Sequence, residues 1–328
     1  MTTTDTLKAL LEAALTPSPT VISIGLAIVL LFPIILHFIF SATTPYTTLP
    51  SVLLVGPSGA GKTALLTLFE RGPLADPDSS SSEKLTPVAK THTSQVPATI
   101  ELAVSTDPAS SSYRADLDAA GATAKKFLLV DTPGHPKLRG HALAHLSSAT
   151  PTIPSTTSSS SAAPTQSKLK ALIFLVDAAA LADPDSGALS STASYLYDVL
   201  LALQQRFHRR SGSRAPASVP VLVAANKSDL FTALPAALVR SQLEAELGRI
   251  RKSRSKGLLD SGVGADDVDN AGGAGGEEAD GWLGGYGTEK FGFKEMMEFD
   301  VEVEVLGGNV LGEGPGAEKW WKWIGERV

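Results

Sequence analysis

The residues best equipped for chemistry are Gly56-Pro57-Ser58-Gly59-Ala60-Gly61-Lys62-Thr63, in the spacing GxxxxGKT. An apolar run precedes them and a helix-forming stretch follows. Glycines at these places let the backbone turn tightly, so successive amide N–H groups converge on phosphate oxygens, and the N-terminus of the following helix adds partial positive charge. Lys62 is then placed to reach the β- and γ-phosphates of a nucleotide, and the Thr63 hydroxyl to ligate Mg²⁺.

Two further motifs narrow the ligand. Phe127–His135 reads FLLVDTPGH, an apolar run ending in Asp131, which would hold Mg²⁺ through water, with Gly134 placed to donate its N–H to the γ-phosphate. Loss of that phosphate would release the loop, an order–disorder switch. Asn226-Lys227-Ser228-Asp229 follows another apolar run. A carboxylate accepts two hydrogen bonds from guanine N1–H and its exocyclic amine, whereas adenine presents no such donor pair. Asp229 is therefore the expected specificity residue, with Asn226 and Lys227 bracing loop and base. The predicted ligands are GTP or GDP with Mg²⁺.

Weaker signals complete the set. A γ-phosphate-sensing threonine and Mg²⁺ ligand is expected between the first two motifs, at Thr91 or Thr93, with Thr91 favoured. The last base-contacting loop is expected at Leu306-Gly307-Gly308-Asn309, placing Gly308 near the base.

Positioning these loops requires strands that end together. Strand patterns are predicted at Ser51–Val55, Thr99–Val104, Lys126–Val130, Ala171–Val176, Val219–Ala225 and Phe299–Leu306. Helices are predicted at Lys62–Arg71, Leu189–Arg209, Leu234–Arg251 and Glu318–Arg327. Several strands are continuous apolar runs, as expected when both faces are covered. The alternation predicts an α/β fold, a mostly parallel six-stranded sheet flanked by helices, with Thr99–Val104 the candidate antiparallel strand.

Composition sets the context. The chain has 328 residues, 43% hydrophobic and 19% charged, with 28 Lys+Arg against 34 Asp+Glu and no cysteine. A disulfide scaffold, a Cys-ligated zinc and a thiol nucleophile are excluded. A net charge of −6 argues against sequence-specific nucleic-acid binding. Val21–Phe40 carries no Asp, Glu, Lys or Arg; as a helix it would be about 30 Å long, enough for one membrane span. The preceding residues lack the basic region of a signal peptide, so a retained anchor is expected. The expected organisation is a tail at 1–20, a transmembrane helix at 21–40, a linker at 41–49 and a nucleotide-binding domain at 50–328. Low-complexity insertions are expected near 75–86, 147–168 and 252–290. The second holds 13 Ser or Thr between Ser147 and Lys168; the third holds ten Gly and seven acids between Asp260 and Gly287.

The order GxxxxGKT, DTPGH, NKSD on alternating strands resembles the Ras/Arf-like P-loop GTPases. With the single N-terminal span, the phrase Asp131–Arg139 (DTPGHPKLR), THTSQVP from Thr91, FGFKEMMEFDVEVEVL from Phe291 and the terminal EKWWKWI, the chain resembles the signal recognition particle receptor beta subunits, in a fungal form. The resemblance implies an endoplasmic reticulum anchor, a cytosolic GTPase domain and a GTP-dependent surface for the receptor's alpha subunit. It extends to the ribosome or translocon as further partners. His135 stands where Ras-like enzymes have a water-orienting glutamine, which makes it the candidate catalytic residue. With no arginine finger to assign, slow or partner-dependent hydrolysis is expected. An Arf/Sar-like switch of vesicle traffic is the alternative, opposed by the full-length span.

Overall fold

The computed structural model describes residues 49–72, 91–105, 124–147, 152–153, 165–166, 168–208, 218–260, 282–285, 290–312 and 316–328. Nearer the N-terminus it describes 19, 22–23, 26–27 and 29–35. The chain divides into two compact units, Met1–Thr47 and Thr48–Val328. In the first, the described residues are helical and their apolar side chains, Ile22, Leu26, Val29 and Phe32 among them, are exposed. No helix among the described residues is long and apolar enough to cross a membrane. Much of Val21–Phe40 lies outside the described residues, as do all of the 75–86 insertion and most of the Ser147–Lys168 and Asp260–Gly287 stretches.

The second unit is built in chain order from β1 (Pro50–Val55), α1 (Lys62–Arg71), β2 (Ala98–Ser105), β3 (Ala124–Asp131) and α2 (Arg139–Ser147). A two-residue pair follows, β4 (Thr152–Ile153) and β5 (Thr165–Gln166). Then come β6 (Lys168–Asp177), α3 (Ala188–His208), β7 (Val221–Asn226), α4 (Ala236–Asp260), β8 (Val303–Gly307) and α5 (Glu318–Arg327). Six strands form one sheet in the order β2-β3-β1-β6-β7-β8. All neighbours are parallel except β2, which runs antiparallel to β3 at the edge.

The pleat of β1 sorts the core into two layers. Val52 and Leu54 face α1 and α5, meeting Leu65, Phe69, Trp320 and Trp321. Leu53 and Val55 face the other side, where α2, α3 and α4 supply Ala142, Leu146, Leu196, Leu200, Val239 and Leu243. Trp321 is fully buried, its ring 4.9 Å from Phe69 and 6.0 Å from Phe127. It joins the C-terminal helix to the helix that carries the phosphate-loop lysine.

Several expected boundaries move, each for a local reason. β7 begins at Val221 because Pro220 has no N–H; its carbonyl still accepts from the Leu172 N–H at 3.0 Å. Pro235 likewise precedes the start of α4, accepting from Val239 N–H. The expected strand from Phe299 is corrected: Phe293–Phe299 forms a 3-10 helix ended by left-handed Asp300, and β8 starts at Val303. Helix α4 continues to Asp260, beyond its expected limit at Arg251. Arg251, almost wholly buried, pairs with Glu295 at 3.1 Å and holds the returning segment against α4. Helix α2 carries only two buried apolar residues, Ala142 and Leu146, four apart, a pattern too sparse to read from spacing.

Replacing Trp321 with Ala should cost about 3–5 kcal/mol of unfolding free energy. Denaturant titration of the full chain checks this; a loss under 1 kcal/mol would show that α5 does not close the core.

Candidate nucleotide-binding site

Parallel strands deliver their C-terminal ends to one edge of the sheet, where open α/β folds place ligands. β1 ends at the GxxxxGKT loop, β3 at Asp131, β6 at Asp177 and β7 at Asn226. A cleft of about 460 Å³ lies there, lined by Ser58, Gly59, Gly61, Lys62, Thr63, Ala64, Thr91, His92, Thr93, Ser94, Gly134, Asn226, Lys227, Asp229, Leu230, Val310 and Leu311. Five segments far apart in sequence therefore meet around one cavity.

At the phosphate end, the Lys62 ammonium donates to the Gly56 and Pro57 carbonyls, both at 2.9 Å. Gly56, Pro57 and Ala60 do not line the cleft; the Gly56 and Pro57 carbonyls hold the lysine, and Ala60 N–H donates to Pro57 within the loop. Burial lowers the Lys62 pKa to about 8, against the opposing pull of the Asp131 carboxylate. Burial likewise raises the Asp131 pKa, opposed by the Thr63 hydroxyl and the Lys62 charge. Gly134 lines the cleft so closely that a side chain there would collide with Lys62 and with the Gly56 carbonyl.

The donor set fits a hydrated divalent cation. Thr63 Oγ1 donates to Asp131 Oδ2 at 2.7 Å, and Asp131 Oδ1 is buried with no partner among the described residues. A buried, half-satisfied carboxylate next to a hydroxyl suits a water-mediated Mg²⁺ contact. Both Thr91 and Thr93 line the cleft, so the geometry admits either as the switch threonine.

At the base end, Asn226 is the organising residue. Its Nδ2 donates to the Ala60 carbonyl at 2.7 Å, and its Oδ1 accepts from the Val310 N–H at 3.1 Å. This requires Gly61: its φ is +100°, and a Cβ there would lie 2.3 Å from Asn226 Nδ2. Lys227 donates to Asp177, whose other oxygen accepts from the N–H groups of Ala179 and Ala180 at 3.1 and 3.0 Å. The Lys227 side chain is thereby fixed beside the exposed Asp229.

Two expected residues are placed elsewhere. His135 does not line the cleft; it is exposed, and its Nδ1 accepts from the Lys137 N–H at 3.3 Å, capping the 3-10 turn Pro136–Leu138. Gly308 does not line it either. Its N–H donates to Ala225 at 2.9 Å, and its Cα packs under Gly316 and Trp320, with no room for a Cβ. Val310 and Leu311 take the place expected of Gly308. Sequence reading missed them, along with Asp177 and Leu230, because apolar and single acidic residues carry no spacing signal.

With this geometry in view, the comparisons with known proteins are specific. A family model described as signal recognition particle receptor beta subunit matches residues 158–281. The signal recognition particle receptor SRb-GTP/SRX complex from Chaetomium thermophilum contains a chain 56% identical, covering 85% of this chain and 100% of that one, with a TM-score of 0.69. The chain belongs to the signal recognition particle receptor beta subunit family. A second Chaetomium thermophilum structure, SRb-GDP-Mg, is 55% identical over 87% of this chain and 100% of its own, with a TM-score of 0.60. The beta subunit of Saccharomyces cerevisiae is 30% identical over 210 residues, 64% of this chain. That match spans 61% of the yeast protein's length.

Asn226→Asp keeps the acceptor for Val310 but removes the donor to Ala60. It should weaken GDP affinity roughly 10- to 100-fold, the cost of one buried carbonyl left unpaired. Fluorescent-nucleotide titration checks this, and an unchanged affinity would remove Asn226 from its bridging role.

Proposed function

We propose that the chain is the GTP-binding, membrane-anchored switch subunit of the signal recognition particle receptor, docking the receptor's alpha subunit at the endoplasmic reticulum for co-translational targeting. The observation that carries this reading is the convergence of Lys62, Thr63, Gly134, Asn226 and Asp229 on one cleft. Family membership supports it over an Arf/Sar-like role in vesicle traffic. The Chaetomium relatives were solved as GTP and GDP-Mg forms, the GTP form in complex with SRX, which supports guanine nucleotide, Mg²⁺ and an alpha-subunit partner here.

In this mechanism Lys62 leaves the Gly56 and Pro57 carbonyls for phosphate oxygens, and the backbone N–H groups of residues 58–63 donate to the remaining phosphate oxygens. Thr63, Asp131 through water, and Thr91 or Thr93 would hold Mg²⁺, which would supply positive charge to the phosphates. Gly134 donates its N–H to the γ-phosphate, and the 91–94 segment closes over the other side. A partner that contacts those two ordered segments binds the GTP form preferentially, and only that differential affinity shifts the equilibrium. Hydrolysis is slow or partner-dependent, since His135 is engaged in capping its own turn.

The proposed organisation has a tail at 1–20, a membrane span at 21–40, a linker at 41–49 and the GTPase domain at 50–328 facing the cytosol. The uncharged Val21–Phe40 block supports the anchor, as do the exposed apolar side chains on the described helical residues 29–35.

Asp229→Asn should reverse base preference, trading guanine for xanthine, whose C2 carbonyl accepts from the new amide. Full-length chain carrying this change should capture the alpha subunit from detergent-solubilised membranes with xanthosine triphosphate and not with GTP, while wild type does the opposite. Capture indifferent to nucleotide in both would sink the switch.

A further inference from the structure

The strand-end loop after β8 is held in place by a side chain and a glycine that none of the three nucleotide motifs includes. Asn309 is almost wholly buried, and both ends of its carboxamide are engaged. Nδ2 donates to the Leu311 and Gly312 carbonyls at 2.9 and 3.3 Å, and Oδ1 accepts from the Gly316 N–H at 2.7 Å. The side chain therefore clasps the loop across its base.

The loop so clasped is also pinned to the NKSD turn. Gly308 N–H donates to Ala225, Ser228 N–H donates to Gly308, and Val310 N–H donates to Asn226 Oδ1. The same segment contains Gly312, with φ at +79°. A Cβ on Gly312 would lie 2.7 Å from Asp229 Oδ2 and 3.2 Å from its Cγ. The bare Cα is thus the backstop against which the guanine-reading carboxylate rests.

We infer that Gly312, positioned by the Asn309 clasp, sets the direction of the Asp229 carboxylate and so determines discrimination at the purine 2-position. Both are positioning residues, and the inference rests on the guanine reading above. A carboxylate is the far end of a flexible side chain, so an added methyl at Gly312 is relieved by rotating Asp229 and not by opening the fold. Rotation would misalign one of the two oxygens that accept from N1–H and the exocyclic amine. Backbone strain alone cannot produce that effect. Gly187, outside the cleft and the clasp, provides the control, having a φ of +66° and open space where its Cβ would stand.

The test compares GDP with inosine diphosphate, which keeps N1–H and lacks the amine, by calorimetry on the full-length chain in detergent. Wild type should prefer GDP by about tenfold or more, as one hydrogen bond to a charged acceptor is worth. Gly312→Ala should bring that ratio close to one with inosine diphosphate affinity little changed, and Gly187→Ala should keep the wild-type ratio. Asn309→Ala should lower the ratio too, and it decides the matter if Gly312→Ala fails to fold. A wild-type ratio retained in Gly312→Ala, or in Asn309→Ala where that variant decides, overturns the inference. Equal binding of both nucleotides by wild type would instead remove Asp229 as the reader of the base, and the inference with it.

Discussion

One carboxamide ties the two halves of the cleft together. Asn226 reaches from the end of β7 to the phosphate loop through Ala60 and to the last base loop through Val310. Neither loop is adjacent to it in sequence, and each takes one end of the side chain. A nucleotide that fills the cleft therefore binds two seats whose separation is fixed before it arrives, which lowers the ordering cost of binding. The sheet makes this possible, because β1, β6 and β7 are parallel and end at a common edge.

The same edge explains why so many residues there are small. Gly61 must be bare for Asn226 to pass, and Gly134 must be bare to lie against Lys62. A buried pair of opposite charges sits in the same region: Lys62 and Asp131 are both hidden, each perturbed by desolvation and each opposing the shift of the other. Such a pair is costly without phosphate and Mg²⁺, and it marks the place where the fold sacrifices stability for binding.

Much of this was legible in the amino-acid sequence, for identifiable reasons. The phosphate loop, Asp131, Gly134 and NKSD are short, local and chemically constrained, so their spacing survives translation into three dimensions. Helices α1 and α5 matched their expected limits because their apolar residues recur at helical spacing. The base loop was less legible. Its roles fall to the backbone of Val310, bonded to Asn226 84 positions away, and to the Asn309 clasp, whose partners lie within seven residues but form no recognisable spacing. His135 matched a motif position, yet its imidazole serves its own turn, a distinction only local geometry reveals. The strand expected from Phe299 starts later, at Val303, because Phe299 closes the 3-10 helix Phe293–Phe299 and left-handed Asp300 ends it.

Hydrogen exchange on the full-length chain tests most directly whether residues 56–63, 226–229 and 308–312 form one guanine nucleotide seat. With Mg²⁺ and GDP all three segments should gain protection together, and with Mg²⁺ and ADP none should. Protection confined to 56–63, or equal for the two nucleotides, would contradict the account.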